Sequence, residues 1–220
     1  MGELAALLPT MSPKAVSALG DPWLLLGLTA GLAVMLALRV DRAAAAAWLA
    51  TVVVAVTTVA LVKVLGYAVA DWAALPRNPF NPSGHAAFAA LVHAGLALQA
   101  WRAVAGRGAI GRIAGLLIAG VALTATGAVA WSRVALGAHT PAESIVGMAF
   151  GLAALVLAHR PGVARAVRRS GPLPWAGFAA VCAVWAALAI RDLPSERAIQ
   201  IVGRQLVGLI GPVMPPADRP

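Results

Sequence analysis

Two histidines that follow short polar stretches are the side chains best suited to do chemistry. The first, His85, ends the stretch Asn-Pro-Ser-Gly-His. Asn81 is a good N-cap and Pro82 suits the first helical position, so we expect a helix to begin here. Its free backbone N–H groups would be those of Ser83, Gly84 and His85. Such a helix end attracts anions and indicates a phosphate site. The alternative is a loop that only closes a membrane span.

The second histidine, His139, follows Arg133 near the start of another expected helix. Thr140 would cap that helix, and Glu143 completes the Thr-x-x-Glu pattern of a capping box. Glu143 also lies one helical turn from His139, where its carboxylate would accept a hydrogen bond, set the tautomer and favour the imidazolium. The two roles of Glu143 are compatible, and capping alone is the simpler alternative.

Taken in chain order, these stretches form one longer pattern. Pro-Ser-Gly-His at 82–85 is followed by Ser-Arg at 132–133, five residues, His139, three residues and an acid. This pattern resembles the type 2 phosphatidic acid phosphatase superfamily. That superfamily includes lipid phosphate phosphatases, prenyl pyrophosphate phosphatases, bacterial acid phosphatases and vanadium haloperoxidases. The resemblance covers residues 18–160, with a helical hairpin between the two motifs.

The resemblance implies a role for each of these residues. His139 would attack phosphorus to give a phosphohistidine while Glu143 holds its far nitrogen, and His85 would protonate the leaving oxygen. Water would then release phosphate, with His85 as the base. The phosphate oxygens would be bound by Lys63, Arg133 and the amides of Ser83 and Gly84. We expect no metal and no other cofactor.

Two positions depart from the family's pattern. The acid after His139 is Glu143 where the family has Asp, and its role should survive because the carboxylate is kept. The family's first motif is Lys, six residues and Arg-Pro; Lys63 matches the lysine, but Ala70 stands at the arginine position. Arg77 is a candidate substitute, or else a solvated loop arginine. The alternative for Lys63 is snorkelling to the lipid headgroups.

The composition indicates a membrane protein. Of the 220 residues, 61% are hydrophobic and 11% are charged, which does not suit an ordinary soluble fold. A bilayer is crossed by ~20 apolar residues, and we expect six spans. They run over about 22–38, 43–70, 85–101, 113–131, 141–160 and 173–190. The predicted fold is an all-α membrane bundle over 22–190, with an N-terminal interfacial segment (1–21) and an amphipathic C-terminal tail (191–220).

These spans divide the charges unevenly between the two membrane faces. One face carries nine arginines against a single acid, Asp41, and by the positive-inside rule it is cytoplasmic. The opposite face carries both termini and every candidate site residue. This topology accounts for the net charge of +9 without nucleic acid. We expect a multi-pass protein of a bacterial-type inner membrane whose site faces the periplasm or exterior.

Three positions inside the spans call for a structural or a functional interpretation. His93 lies two turns below His85, and a hydrogen-bonded interior histidine is a better account of it than a proton relay. Gly147 and Gly151 are spaced four apart, which suits close packing between helices.

These observations favour an integral membrane phosphatase that hydrolyses a lipid phosphate or a prenyl pyrophosphate. The expected partners are that lipid and the bilayer, and the sequence does not set the oligomeric state. One alternative is a non-catalytic member that binds or moves anionic lipids with a degenerate site. A vanadate-dependent haloperoxidase is a further alternative.

Overall fold

The computed structural model describes residues 12–72, 81–104, 107–157, 167 and 173–189, and most of these residues are helical. We number the helices in chain order. They are α1 (Pro13–Ser17), α2 (Pro22–Arg39), α3 (Arg42–Trp72), α4 (Gly84–Val104), α5 (Gly108–Ala135), α6 (Pro141–Leu157) and α7 (Leu173–Ala189), with a 3₁₀ turn (Ala18–Gly20) after α1. No strand occurs in these ranges, so the predicted all-α class is confirmed.

Helices α2 to α7 coincide with the six predicted spans. Four helical stretches in the described residues are long and apolar enough to cross a membrane: Pro13–Arg39, Arg42–Tyr67, Gly84–Val104 and Gly108–Ala135. The apolar parts of α6 and α7, Pro141–Val156 and Leu173–Cys182, are shorter. The protein is therefore a multi-pass membrane protein. Arg77, the basic segment 160–169 apart from Val167, and the tail 191–220 lie outside the described residues.

Helix α4 is the centre of the bundle. Its most apolar window is 61% buried, compared with 22% for the corresponding windows of α3 and α5. Small side chains make this possible, because Ala86, Ala89 and Ala90 are fully buried and let the neighbouring helices approach. The outer helices instead expose large apolar side chains such as Ile110 and Leu117, as a helix in contact with lipid does.

The contact between α4 and α6 depends on two glycines. A Cβ added at Gly147 would collide with the backbone carbonyl of Ser83, and one added at Gly151 would collide with that of Ala87. The predicted close packing at Gly147 and Gly151 is confirmed. Because α4 and α6 each begin with a site motif, their close approach brings the two motifs together.

The described part of the N-terminal segment packs on the bundle. Residues 12–20 contact α5 and α4, and Val16, Ser17 and Gly20 are buried. A Cβ added at Gly20 would meet Val129 Cγ1 of α5 at 2.5 Å. Since glycine has no Cβ, the 3₁₀ turn can lie directly against α5.

Candidate active site

The first motif begins helix α4 two residues later than expected. The helix starts at Gly84, and Ser83 is its cap, because the Ser83 carbonyl accepts from Ala87 N at 2.9 Å and Ser83 Oγ accepts from Ala86 N at 3.4 Å. The predicted cap at Asn81 with Pro82 in the first turn is therefore wrong. Serine and asparagine cap helices about equally well, and a tertiary contact at Ser83 selects between them.

That tertiary contact joins the two motifs. Ser83 N donates to the carbonyl oxygen of Glu143 at 2.9 Å, and the Ser83 side chain is fully buried. The predicted free N–H of Ser83 is therefore wrong, and its amide does not face an incoming phosphate. The amide of Gly84 has no hydrogen-bond partner among the described residues. A Cβ built at Gly84 meets nothing within 4 Å, so this helix end faces open space.

His85 follows in the first turn of α4 and is partly exposed. Its Cβ would lie 3.6 Å from a Cβ added at Gly20. The N-terminal segment and the first motif are thus direct neighbours.

The second motif depends on how α5 ends. Gly137 has a φ of +66°, the left-handed conformation that favours glycine just after a helix. Gly137 N donates to Val134 O, and Ala138 N donates to Arg133 O at 3.0 Å, which is a Schellman motif. His139 N also donates to Arg133 O, at 3.2 Å. The turn therefore sets the position of His139 relative to Arg133. Sequence reasoning missed Gly137, although a glycine after a helical run is the usual signal.

His139 and the start of α6 form one hydrogen-bonded unit. His139 Nδ1 lies 3.0 Å from Glu143 Oε2. The same Oε2 accepts from Thr140 N at 2.9 Å, and Glu143 N donates to Thr140 Oγ1 at 3.2 Å. Both expected contacts of Glu143 are present, the capping box with Thr140 and the hydrogen bond with His139. With Nδ1 donating to the carboxylate, Nε2 carries the lone pair.

The surroundings of His139 favour the neutral ring. Its side chain is 9% exposed. Burial lowers the pKa of His139 below its ordinary value of 6.5, the cations Lys63 and Arg133 lower it further, and Glu143 partly offsets them. Glu143 favours the imidazolium as expected, but burial outweighs it.

Two cations converge on this unit. Lys63 of α3 lies within electrostatic range of Glu143 and Arg133. Arg133 is 7% exposed and its Nη1 donates to Ser17 Oγ at 3.0 Å. Lysine and arginine supply fixed positive charge of the kind that binds phosphate. The contact with Ser17, from 116 residues away, was not foreseen from the sequence.

His93 is an interior histidine. Its Nδ1 lies 3.4 Å from Thr126 Oγ1 of α5, and the ring also hydrogen-bonds to the backbone of Leu19. This confirms the structural interpretation of His93. Within the described ranges, no group of three or more His, Cys, Asp and Glu side chains has the arrangement of a metal site.

A comparison with models of protein families finds a match that contains most of these site residues. Residues 66–165 match the PAP2 superfamily. The match confirms the resemblance to the type 2 phosphatidic acid phosphatase superfamily, and it includes His85, Arg133, His139 and Glu143. It supports the fold of a PAP2-type membrane phosphatase and, in general terms, a phosphoric ester hydrolase. Lys63 lies three residues before the matched PAP2 region. No curated protein and no solved structure matches the chain.

Proposed function

We propose that this protein is a membrane phosphatase that hydrolyses a lipid phosphate or a prenyl pyrophosphate through a phosphohistidine. The observation that carries the proposal is His139 bound to the Glu143 carboxylate, beside two cations and the open end of α4. A nucleophile, an orienting acid and phosphate-binding charge are the parts that phosphoryl transfer needs.

The proposed reaction has two steps. His139 Nε2 attacks phosphorus, the bond from phosphorus to the lipid oxygen breaks, and His85 gives that oxygen a proton. Water then attacks the phosphohistidine, His85 accepts a proton from the water, and the electron pair returns to Nε2. Glu143 holds Nδ1 throughout and stabilises the positive charge on the ring. The products are the lipid alcohol, or the monophosphate from a pyrophosphate, and inorganic phosphate.

Four groups would bind the transferring phosphoryl oxygens. Lys63 and Arg133 supply charge, and the Gly84 amide supplies a donor at the positive end of α4. Arg77, the candidate replacement for the arginine absent at Ala70, completes the proposed set. Ser83 contributes by capping α4 and by bonding to Glu143 rather than through its own amide.

The substrate class follows from where these groups lie. His85, Glu143 and the Schellman turn all stand at helix ends, so a lipid headgroup could reach them while its tail stays among the apolar helices. The charge distribution supports a site on the extracytoplasmic face of a bacterial-type inner membrane.

One observation favours a second candidate, a non-catalytic protein that binds or moves anionic lipids. Ala70 stands where the family's first motif has an arginine. Loss of one charged contact to a transition state can cost ~10²-fold in rate. A degenerate site of this kind would still bind phosphate.

Phosphate release by the purified protein in detergent separates the two candidates. We expect release from at least one of phosphatidic acid, phosphatidylglycerol phosphate and undecaprenyl pyrophosphate. Vanadate should inhibit this activity because it resembles the transferring phosphoryl, and a chelator should leave it unchanged. Binding of these lipids without any release would favour the second candidate.

The pH dependence tests the state of His139. The nucleophile must be neutral, and a ring is neutral above its pKa, so a lowered pKa extends activity toward acid. We expect the acidic limb of kcat/KM to have its midpoint below 6.5. Glu143→Gln removes the negative charge that raises the pKa of His139. We therefore expect the acidic limb of kcat/KM in this variant to have its midpoint at a still lower pH, and we expect its maximal rate to fall. An acidic limb above 6.5 would contradict the assignment.

A further inference from the structure

The N-terminal segment reaches a phosphate-binding residue of the proposed site. Arg133 Nη1 donates to Ser17 Oγ at 3.0 Å. Both residues are buried, with 8% of Ser17 and 7% of Arg133 exposed. A buried hydrogen bond to a charged group is stronger than one between neutral groups.

The segment is held in place by contacts on both sides of Ser17. Val16 is buried, Leu19 bonds through its backbone to His93 of α4, and Gly20 lies against Val129 of α5. The same turn lies beside the Cβ of His85. Residues 16–20 therefore border both motifs, and Ser17 is anchored on each side.

We propose that Ser17 is a positioning residue that orients the guanidinium of Arg133 for phosphate. This inference rests on the proposed function. Arginine has a long side chain with many rotamers and is always charged. A bond at one Nη restricts the plane of the guanidinium, so that less freedom is lost when phosphate binds.

The chemistry of serine suits this role. A carboxylate at position 17 would pair with Arg133 and compete with phosphate for its charge. A hydroxyl carries no charge, so it can accept a hydrogen bond from the guanidinium and leave the positive charge of Arg133 in place. Ser17 therefore orients Arg133 without neutralising it.

Ser17→Ala tests this role, with Ser17→Thr as the conservative variant and Ser12→Ala as the matched control. Ser12 is exposed and caps the same short helix by accepting from Ala15 N, but it lies five residues from Ser17. We expect Ser17→Ala to raise KM and to weaken vanadate binding about tenfold, with a smaller change in kcat. Ser17→Thr should recover most of the affinity because the hydroxyl is kept, and Ser12→Ala should match the wild type.

Vanadate binding, followed as the rise in melting temperature of the detergent-solubilised protein, does not require turnover and so separates the two proposals. If the wild type releases phosphate, and Ser17→Ala has the same KM and the same affinity for vanadate as the wild type, the proposed role of Ser17 is overturned and the phosphatase proposal stands. Equal losses in Ser17→Ala and Ser12→Ala also overturn it, because they reflect only the fold of the segment. Wild-type vanadate binding that Ser17→Ala weakens, without any turnover, supports the role of Ser17 and overturns the phosphatase. A wild type that neither releases phosphate nor binds vanadate overturns both.

Discussion

Replacement of His139 by alanine should abolish phosphate release. The proposed reaction passes through a bond between Nε2 and phosphorus, and no other group in the unit of His139, Thr140 and Glu143 can form a phosphoramidate. We expect kcat to fall by ~10³-fold or more, as it does when a covalent nucleophile is removed. An acid-labile phosphoenzyme, trapped from labelled substrate in the wild type, should be absent from the variant.

His93→Asn is the matched control for that loss. Like His139→Ala, this variant removes an imidazole. The asparagine amide can still form the hydrogen bond with Thr126 Oγ1 that His93 Nδ1 forms in the wild type. We expect this variant to form the phosphoenzyme and to turn over, because His93 is a packing residue. Persistent turnover in His139→Ala would show that the nucleophile is another group, and loss of turnover in His93→Asn alone would restore the proton-relay interpretation.

Gly147→Ala should inactivate the protein, although Gly147 is not one of the proposed catalytic or phosphate-binding residues. The added Cβ would collide with the carbonyl of Ser83 and lie 3.1 Å from its nitrogen. These are backbone atoms that cannot swing aside, so α4 and α6 must separate. Separation strains the bond from Ser83 N to Glu143 O that joins the two motifs. A misplacement of about 1 Å can cost ~10²-fold in rate, and we expect a loss of that order in kcat/KM.

The control for this effect is Gly127→Ala on α5. A Cβ there meets nothing within 4 Å, so the exchange should stabilise the helix by ~0.5–1 kcal/mol and leave turnover unchanged. Assays below the melting temperature of both variants separate misplacement from unfolding. Full activity in Gly147→Ala would show that the site tolerates a wider gap between α4 and α6.

Much of this site could be predicted from local sequence. The capping box of Thr140 and Glu143, the contact with His139 and the packing of Gly147 and Gly151 were all expected from spacing alone. Each depends on residues three or four apart, which a helix brings to the same side. The sequence predicts the cap of α4 at Asn81, but the cap is Ser83. Both residue types cap helices well, and only the contact of Ser83 with Glu143 selects between them.

The sequence by itself determined the all-α membrane class, the resemblance to the superfamily and the pair of histidines, because apolar stretches, turn residues and short motifs act over a few residues. The tertiary structure decided what depends on distant segments. It placed Lys63 near Arg133 and Glu143, bonded Ser17 to Arg133 across 116 residues, and lowered the pKa of His139 through burial. Burial and electrostatic interaction depend on which helices pack together, and that packing is a property of the whole chain.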